Sequence, residues 1–155
     1  MFIVKLLIGL ISVYVCTKIA KSKAVCLKEV TLFWQSLVDL CKIIEIDLSY
    51  KKSPINEIFL KDFCSCDFNK FIKIYVKTNE FCFPNYVLDE EKPLIKSFIL
   101  SLGKSDSASQ RLFAESKEVL FKELRDKKAV AENKFYSVIL KVGFSVGVML
   151  FIMVI

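Results

Sequence analysis

The chain has few places to break a helix. Its 155 residues include only four glycines and three prolines. The prolines, Pro54, Pro84 and Pro93, all fall in the middle of the sequence, so long stretches on either side carry none. Such a distribution favours a long helix at each end and shorter elements between. Spacing agrees with this. Val30, Phe33, Leu37, Leu40, Ile44 and Leu48 recur at intervals of three and four, one face of a helix. The first helix is expected to run to about Leu48. Phe113, Leu120, Leu124, Ala131, Phe135 and Val138 follow a similar pattern, broken near Lys127, and predict a second long helix from about Asp106 to Ile155.

Shorter elements fill the middle. "SYKKSPINE" ends the first helix. Ser53 suits an N-cap, Pro54 the first helical position and Glu57 the positive end, so a short helix is expected from Pro54 to about Phe63. Asp67 is placed to cap "FNKFIKIYVKT", although Ile72, Tyr75 and Val76 suit a strand as well. Residues 64–93 are therefore open between helix and extended structure. Asp89 is expected to cap "EEKPLIKSFILSL", with Pro93 early enough to be tolerated. Gly103 then closes that helix in the left-handed conformation. The expected fold class is all-α: a helical bundle with one transmembrane helix at each end, the outer helices continuous with the spans.

The membrane expectation comes from hydropathy. Mean hydropathy is +0.47 and 54% of residues are hydrophobic. Phe2 to Ala20 is apolar apart from Lys5 and Lys18, and Phe135 to Ile155 carries one charge, Lys141. Each stretch is about 20 residues, the length that spans a hydrocarbon core. The first could also be a cleaved signal peptide, but Lys21 and Lys23 flank the cleavage site and disfavour it. Lysines cluster on the inner side of both stretches, so the positive-inside rule places the middle in the cytoplasm. The expected division is 1–20 (membrane helix), 21–134 (cytosolic bundle) and 135–155 (membrane helix), in a two-pass cell-membrane protein. Twenty basic and seventeen acidic residues interleave between Lys21 and Lys134. The lysines beside the two apolar stretches form a basic collar that suits anionic lipid headgroups, and the interleaving leaves no nucleic-acid footprint. Gly143-x-x-x-Gly147 permits close helix packing, either against the first helix near Gly9 or between copies, so a homo-oligomer is left open.

The chemistry is sparse. Gly103-Lys104-Ser105 resembles the tail of a phosphate-binding loop, but that loop needs a glycine where this chain has Phe98, and a strand before it. The stretch reads better as a turn, with Asp106 or Ser107 capping the next helix and Ser107-x-x-Gln110 forming a capping box. With no histidine, Ser-His and Cys-His pairs are excluded. Glu90-Glu91 and Glu115-Glu118 suit a helix start and a solvated face. Four of the six cysteines sit in apolar helical patterns, as thiols in a reducing compartment. Cys64-x-Cys66 with Cys82 lacks a second close pair for a metal site. No enzyme, metal or cofactor is expected; a thiol enzyme built on Cys64 or Cys66 is the distant alternative. Trp34 and most of the fourteen phenylalanines read as core. The aromatics from Phe81 to Tyr86 flank a proline and could be core or a contact patch.

The chain resembles the stage III sporulation protein AB family of endospore-forming bacteria. Tyr50, Pro54, Ile55 and Glu57 look like its Tyr-x-x-x-Pro-Leu-x-Glu signature. Leu102, Gly103, Lys104, Asp106 and Gln110 are similar to its Leu-Gly-Lys-x-Asp turn. Glu123-Leu124 and the Gly-containing end match its long last helix. The middle, "FCSCDFNKFIKIYVKTNEFCFPNYVLDEEKP", is shorter and richer in aromatics than the family's. The resemblance implies a non-enzymatic platform on the mother-cell side of the complex that joins mother cell and forespore. Its cytosolic domain is similar to the platform domain of type II secretion machines. It would dock a cytosolic secretion-type ATPase and other membrane subunits, with the turn at Gly103, Lys104, Asp106 and Gln110 and the stretch at Tyr50, Pro54 and Glu57 as contact surfaces. An unrelated membrane-anchored helical adaptor or sensor is the alternative.

Overall fold

The structure, a computed structural model, describes residues 2–50 and 54–154. Within these, the side chains of residues 2–10, 12, 20–21, 23–24, 26–27, 140, 147, 150–151 and 153–154 lie outside the description. Five helices appear in order: α1 (Phe2–Tyr50), α2 (Ile55–Phe59), α3 (Cys66–Thr78), α4 (Lys92–Ser101) and α5 (Ser107–Val154). Among the described residues there is no strand, so the fold class is all-α. α1 and α5 have 49 and 48 residues, as the lack of breakers leads one to expect.

The membrane placement is overturned. Among the described residues no helix is long and apolar enough to cross a membrane. A span needs about 20 consecutive, predominantly apolar residues. The expected two-pass topology, with a cytoplasmic middle set by lysine asymmetry, therefore has no span to orient among the described residues.

The chain divides into two compact units. One comprises Met1–Lys28 with Lys128–Ile155, the other Glu29–Lys127. In the first, Cys16 and Ile19 of α1 and Val138, Ile139, Val142, Gly143 and Val146 of α5 line an apolar groove. Gly143 thus faces an α1 segment of its own chain, whereas the surroundings of Gly147 and Gly9 lie outside the description.

The second unit holds the core. Phe33 and Trp34 are fully buried side by side on α1. Phe33 meets Phe68, Phe71 and Tyr86 at ring-centroid distances of 5.4, 5.9 and 6.0 Å. Trp34 meets Phe121 of α5 at 6.1 Å, and Phe121 meets Phe98 of α4 edge-on at 5.2 Å. Residues from α1, α3, α4 and α5 thereby share one aromatic cluster. Each buried ring contributes roughly 1.5–3 kcal/mol from area alone, with up to about 1.5 kcal/mol more for an edge-on or offset pair. Phe81, Phe83 and Tyr86 are half-buried against this cluster, with Phe83 stacked on Phe71 at 5.0 Å.

A polar seam ties the segment before α3 to α1. Ser65 is fully buried. Its N–H donates to Ser36 Oγ at 3.2 Å, and its hydroxyl donates to Glu29 Oε2 at 3.2 Å. The same hydroxyl accepts the Phe68 N–H at 3.1 Å. Ser36 Oγ lies 3.2 Å from Cys64 Sγ. Each buried polar atom is thus paired, which removes a desolvation penalty of roughly 1–3 kcal/mol per group.

Several boundaries differ from expectation. Ser65, not Asp67, caps α3; Asp67 sits in the first turn, where it accepts from Tyr86 Oη at 3.2 Å. Residues 66–78 are helical, and Asn79 stops them in the left-handed conformation (φ 56°). α2 ends at Phe59 rather than Phe63. Its expected cap, Ser53, lies outside the described residues. Asp89 does not cap α4: Glu91 holds that position, accepting the Leu88 N–H at 3.1 Å, while Asp89 pairs with Lys92.

Candidate functional site

α4 ends at Ser101, and the chain reverses through Leu102 to Asp106 before α5 begins at Ser107. Gly103 has φ +82°, which L side chains rarely adopt. It also packs closely: a Cβ there would stand 2.9 Å from Ile55 Cδ1 of α2. The turn therefore rests on α2. This brings Ile55, beside Pro54 and Glu57, against the turn from Leu102 to Asp106.

Hydrogen bonds lock the turn's far side. Asp106 caps α5, its Oδ2 accepting the Ser109 N–H at 3.1 Å. Hydrogen bonds from Ser109, its hydroxyl first and its N–H second, hold the Asp106 carboxyl below the ordinary carboxylate range. The capping box expected from Ser107 and Gln110 does not form. Gln110 is buried, and its Nε2 reaches back to the Ser105 carbonyl at 2.9 Å. With Asp106 at the cap, Ser109 occupies the position a capping-box glutamine would need, and Gln110 falls one residue beyond it. The buried amide instead closes the turn on itself.

Lys104 stands apart from these restraints. Its backbone N–H donates to the Ser101 carbonyl at 3.4 Å. Its side chain is exposed and pairs with no carboxylate among the described residues. With Ser97, Leu100, Ser101, Ser105, Ser109 and Phe113 it lines a groove over the turn. Phe113 is anchored by stacking on the buried Phe98, with centroids 6.0 Å apart and planes at 24°. The groove's apolar floor is thus continuous with the core.

Tyr50, Pro54 and Glu57 are exposed. The Glu57 N–H donates to the Pro54 carbonyl at 2.9 Å, a local turn bond. Tyr50 lines a different groove, with Ile43, Ile46, Asp47 and Lys61. Ile55 alone in that stretch is placed against Gly103. Reading the sequence for a site missed the groove's other members. Their signal was present: Ser97 and Ser101 are four apart, as are Leu100 and Lys104, and Ser105, Ser109 and Phe113 follow one another at intervals of four, the spacing of one helix face.

Burial, and after it the charge of Glu118, pushes the Cys41 thiol far above its ordinary value, so it stays protonated. Cys64, Cys66 and Cys82 are exposed. Among the described residues no three of cysteine, aspartate and glutamate gather as a metal site would need.

No family model, no curated protein and no solved structure matches this chain.

Proposed function

We propose that this chain is a non-enzymatic helical docking module that meets a partner protein through the α4–α5 turn. The observation that carries this reading is the contrast within the turn. Gly103, Asp106 and Gln110 are bound into the fold by backbone conformation and hydrogen bonds, whereas Lys104 between them is exposed and has no carboxylate partner among the described residues. A fixed frame around a free cation loses little entropy on binding. A chain without histidine, with its one described buried thiol held protonated, supports a binding role over a catalytic one.

The resemblance to the sporulation family supplies the finer proposal: an assembly platform of the complex between mother cell and forespore, docking a secretion-type ATPase and other subunits of that complex. Its support is the pattern of Leu102, Gly103, Lys104, Asp106 and Gln110, together with the packing of Ile55 on Gly103. Affinity purification of the full chain from sporulating cells tests both levels. Recovery of an ATPase by the wild type and its loss with Lys104→Ala, at unchanged thermal stability, is expected. Equal recovery by Lys104→Ala refutes the role of the turn, and normal sporulation after deletion in a spore-former refutes the platform reading.

A further inference from the structure

The geometry points to an acidic peptide segment with an apolar anchor residue as the occupant of the groove over the α4–α5 turn. This inference rests on the docking reading and names the chemistry of the partner.

Charge separates this groove from the others described. The groove beside Tyr86 contains Asp67 as well as Lys70, and these two pair at 3.5 Å. The groove beside Tyr50 contains both Asp47 and Lys61. The one between Cys16 and Val146 has no charged residue. The groove over the turn has Lys104 and no carboxylate among its lining residues. The nearest acid in sequence, Asp106, is turned to the helix start, where it caps Ser109. Not every hydroxyl in the lining is free to donate. Ser97 and Ser101 give their protons to the Leu94 and Ser97 carbonyls. The lysine ammonium and the Ser105 hydroxyl remain as donors to an incoming anion.

The floor excludes a bare anion as the intended ligand. Leu100 is 39% exposed, and Phe113 is held half-buried by its stack on Phe98. Lys117 Nζ lies 5.5 Å from the Phe113 ring centroid, adding a second cation beside the groove. A phosphate ion gains nothing from Leu100 or Phe113. A peptide that places a leucine or aromatic side chain on them, with carboxylates toward Lys104, satisfies both halves. Apolar burial would supply affinity, and the lysine would supply orientation and on-rate.

The test is a random dodecapeptide phage library selected on the full-length chain, with a parallel selection on Lys104→Glu. Among the described residues the Lys104 side chain makes no ion pair, so this variant is expected to fold, and its thermal midpoint checks that. Enrichment of net-acidic peptides carrying a large apolar residue is expected. Synthetic copies should bind Lys104→Glu more weakly, by up to about fivefold, the upper range for a single exposed ion pair, and lose affinity as salt is raised. Phe113→Ser should weaken them too, whereas inorganic phosphate should not displace them. Enrichment of basic peptides, equal binding to wild type and Lys104→Glu, no enrichment at all, or full displacement by inorganic phosphate overturns the inference. A photo-crosslinker at Ser105 separates this failure from failure of the docking reading. A trapped partner whose contact segment is basic keeps docking and ends the acidic-segment claim; no trapped partner ends both.

Discussion

Replacing Gly103 probes the turn most sharply. In Gly103→Ala, two costs add and one gain subtracts. An L residue in the left-handed region costs roughly 1–2 kcal/mol. The new Cβ would stand 2.9 Å from Ile55 Cδ1, well inside contact distance. That methyl is the end of a flexible side chain, so it can swing aside for roughly 0.5–1.5 kcal/mol of off-rotamer strain. Against this, alanine restricts the unfolded chain and returns about 0.4–1 kcal/mol. The expected net loss is about 1–2 kcal/mol. Gly103→Val should lose more, because a branched side chain tolerates positive φ poorly. Urea unfolding of the full chain measures this as a lower midpoint at unchanged slope. Two further variants separate the terms. Asparagine accepts the left-handed region, so Gly103→Asn keeps the contact with Ile55 and loses most of the backbone cost. Ile55→Val removes Cδ1, so a double-mutant cycle with Gly103→Ala should show favourable coupling. Gly103→Ala at or above wild-type stability would refute both the left-handed turn and its seat on α2.

Ser65→Ala should cost about 1–2 kcal/mol in the same unfolding assay, because it removes the α3 cap and leaves Glu29 without that donor; a loss of a few tenths would mean that water replaces the seam. The Asp106 carboxyl is held below its ordinary 3.8, so the stability it adds is fully present above that pH and lost as pH falls through its lower folded value. Asp106→Asn keeps the cap without the charge and should flatten the acid limb of the stability–pH curve; an unchanged acid limb would show that the carboxyl is not held down by Ser109. Alkylation with iodoacetamide should modify Cys64, Cys66 and Cys82 in the folded protein and Cys41 only after denaturation, as read by peptide mass spectrometry; labelling of native Cys41 would contradict its burial.

The long helices were legible because their signals are local. Proline scarcity and three-four spacing put the end of α1 and the start of α5 within two residues of where they lie. Gly103 was legible for the same reason: a glycine after an apolar helical run marks a left-handed stop. The α3 cap was not. Ser65 and Asp67 both have capping side chains, and what distinguishes Ser65 is its link to Ser36 and Glu29, about thirty residues earlier. No local pattern holds that information. The helix over 66–78 was ambiguous because Ile72, Tyr75 and Val76 suit either state, and packing on Phe33 decides it. Hydropathy misled at the ends, since apolar content says that residues avoid water and not what covers them. Of the site, Gly103, Lys104, Asp106 and Gln110 were readable as a turn. The roles of Gln110 and Ile55 depend on contacts that only the folded chain supplies.

The central claim is that a partner seats on the α4–α5 turn beside Lys104, and photo-crosslinking of the full chain in the cells that express it tests this directly. With the photoreactive residue at Ser105, a discrete adduct is expected, mapping to an acidic segment of one protein and disappearing in Lys104→Glu. With the same residue at the exposed Lys77 of α3, no such adduct should form. Adducts of equal yield from both positions, or an adduct from Ser105 that survives Lys104→Glu, would contradict the account.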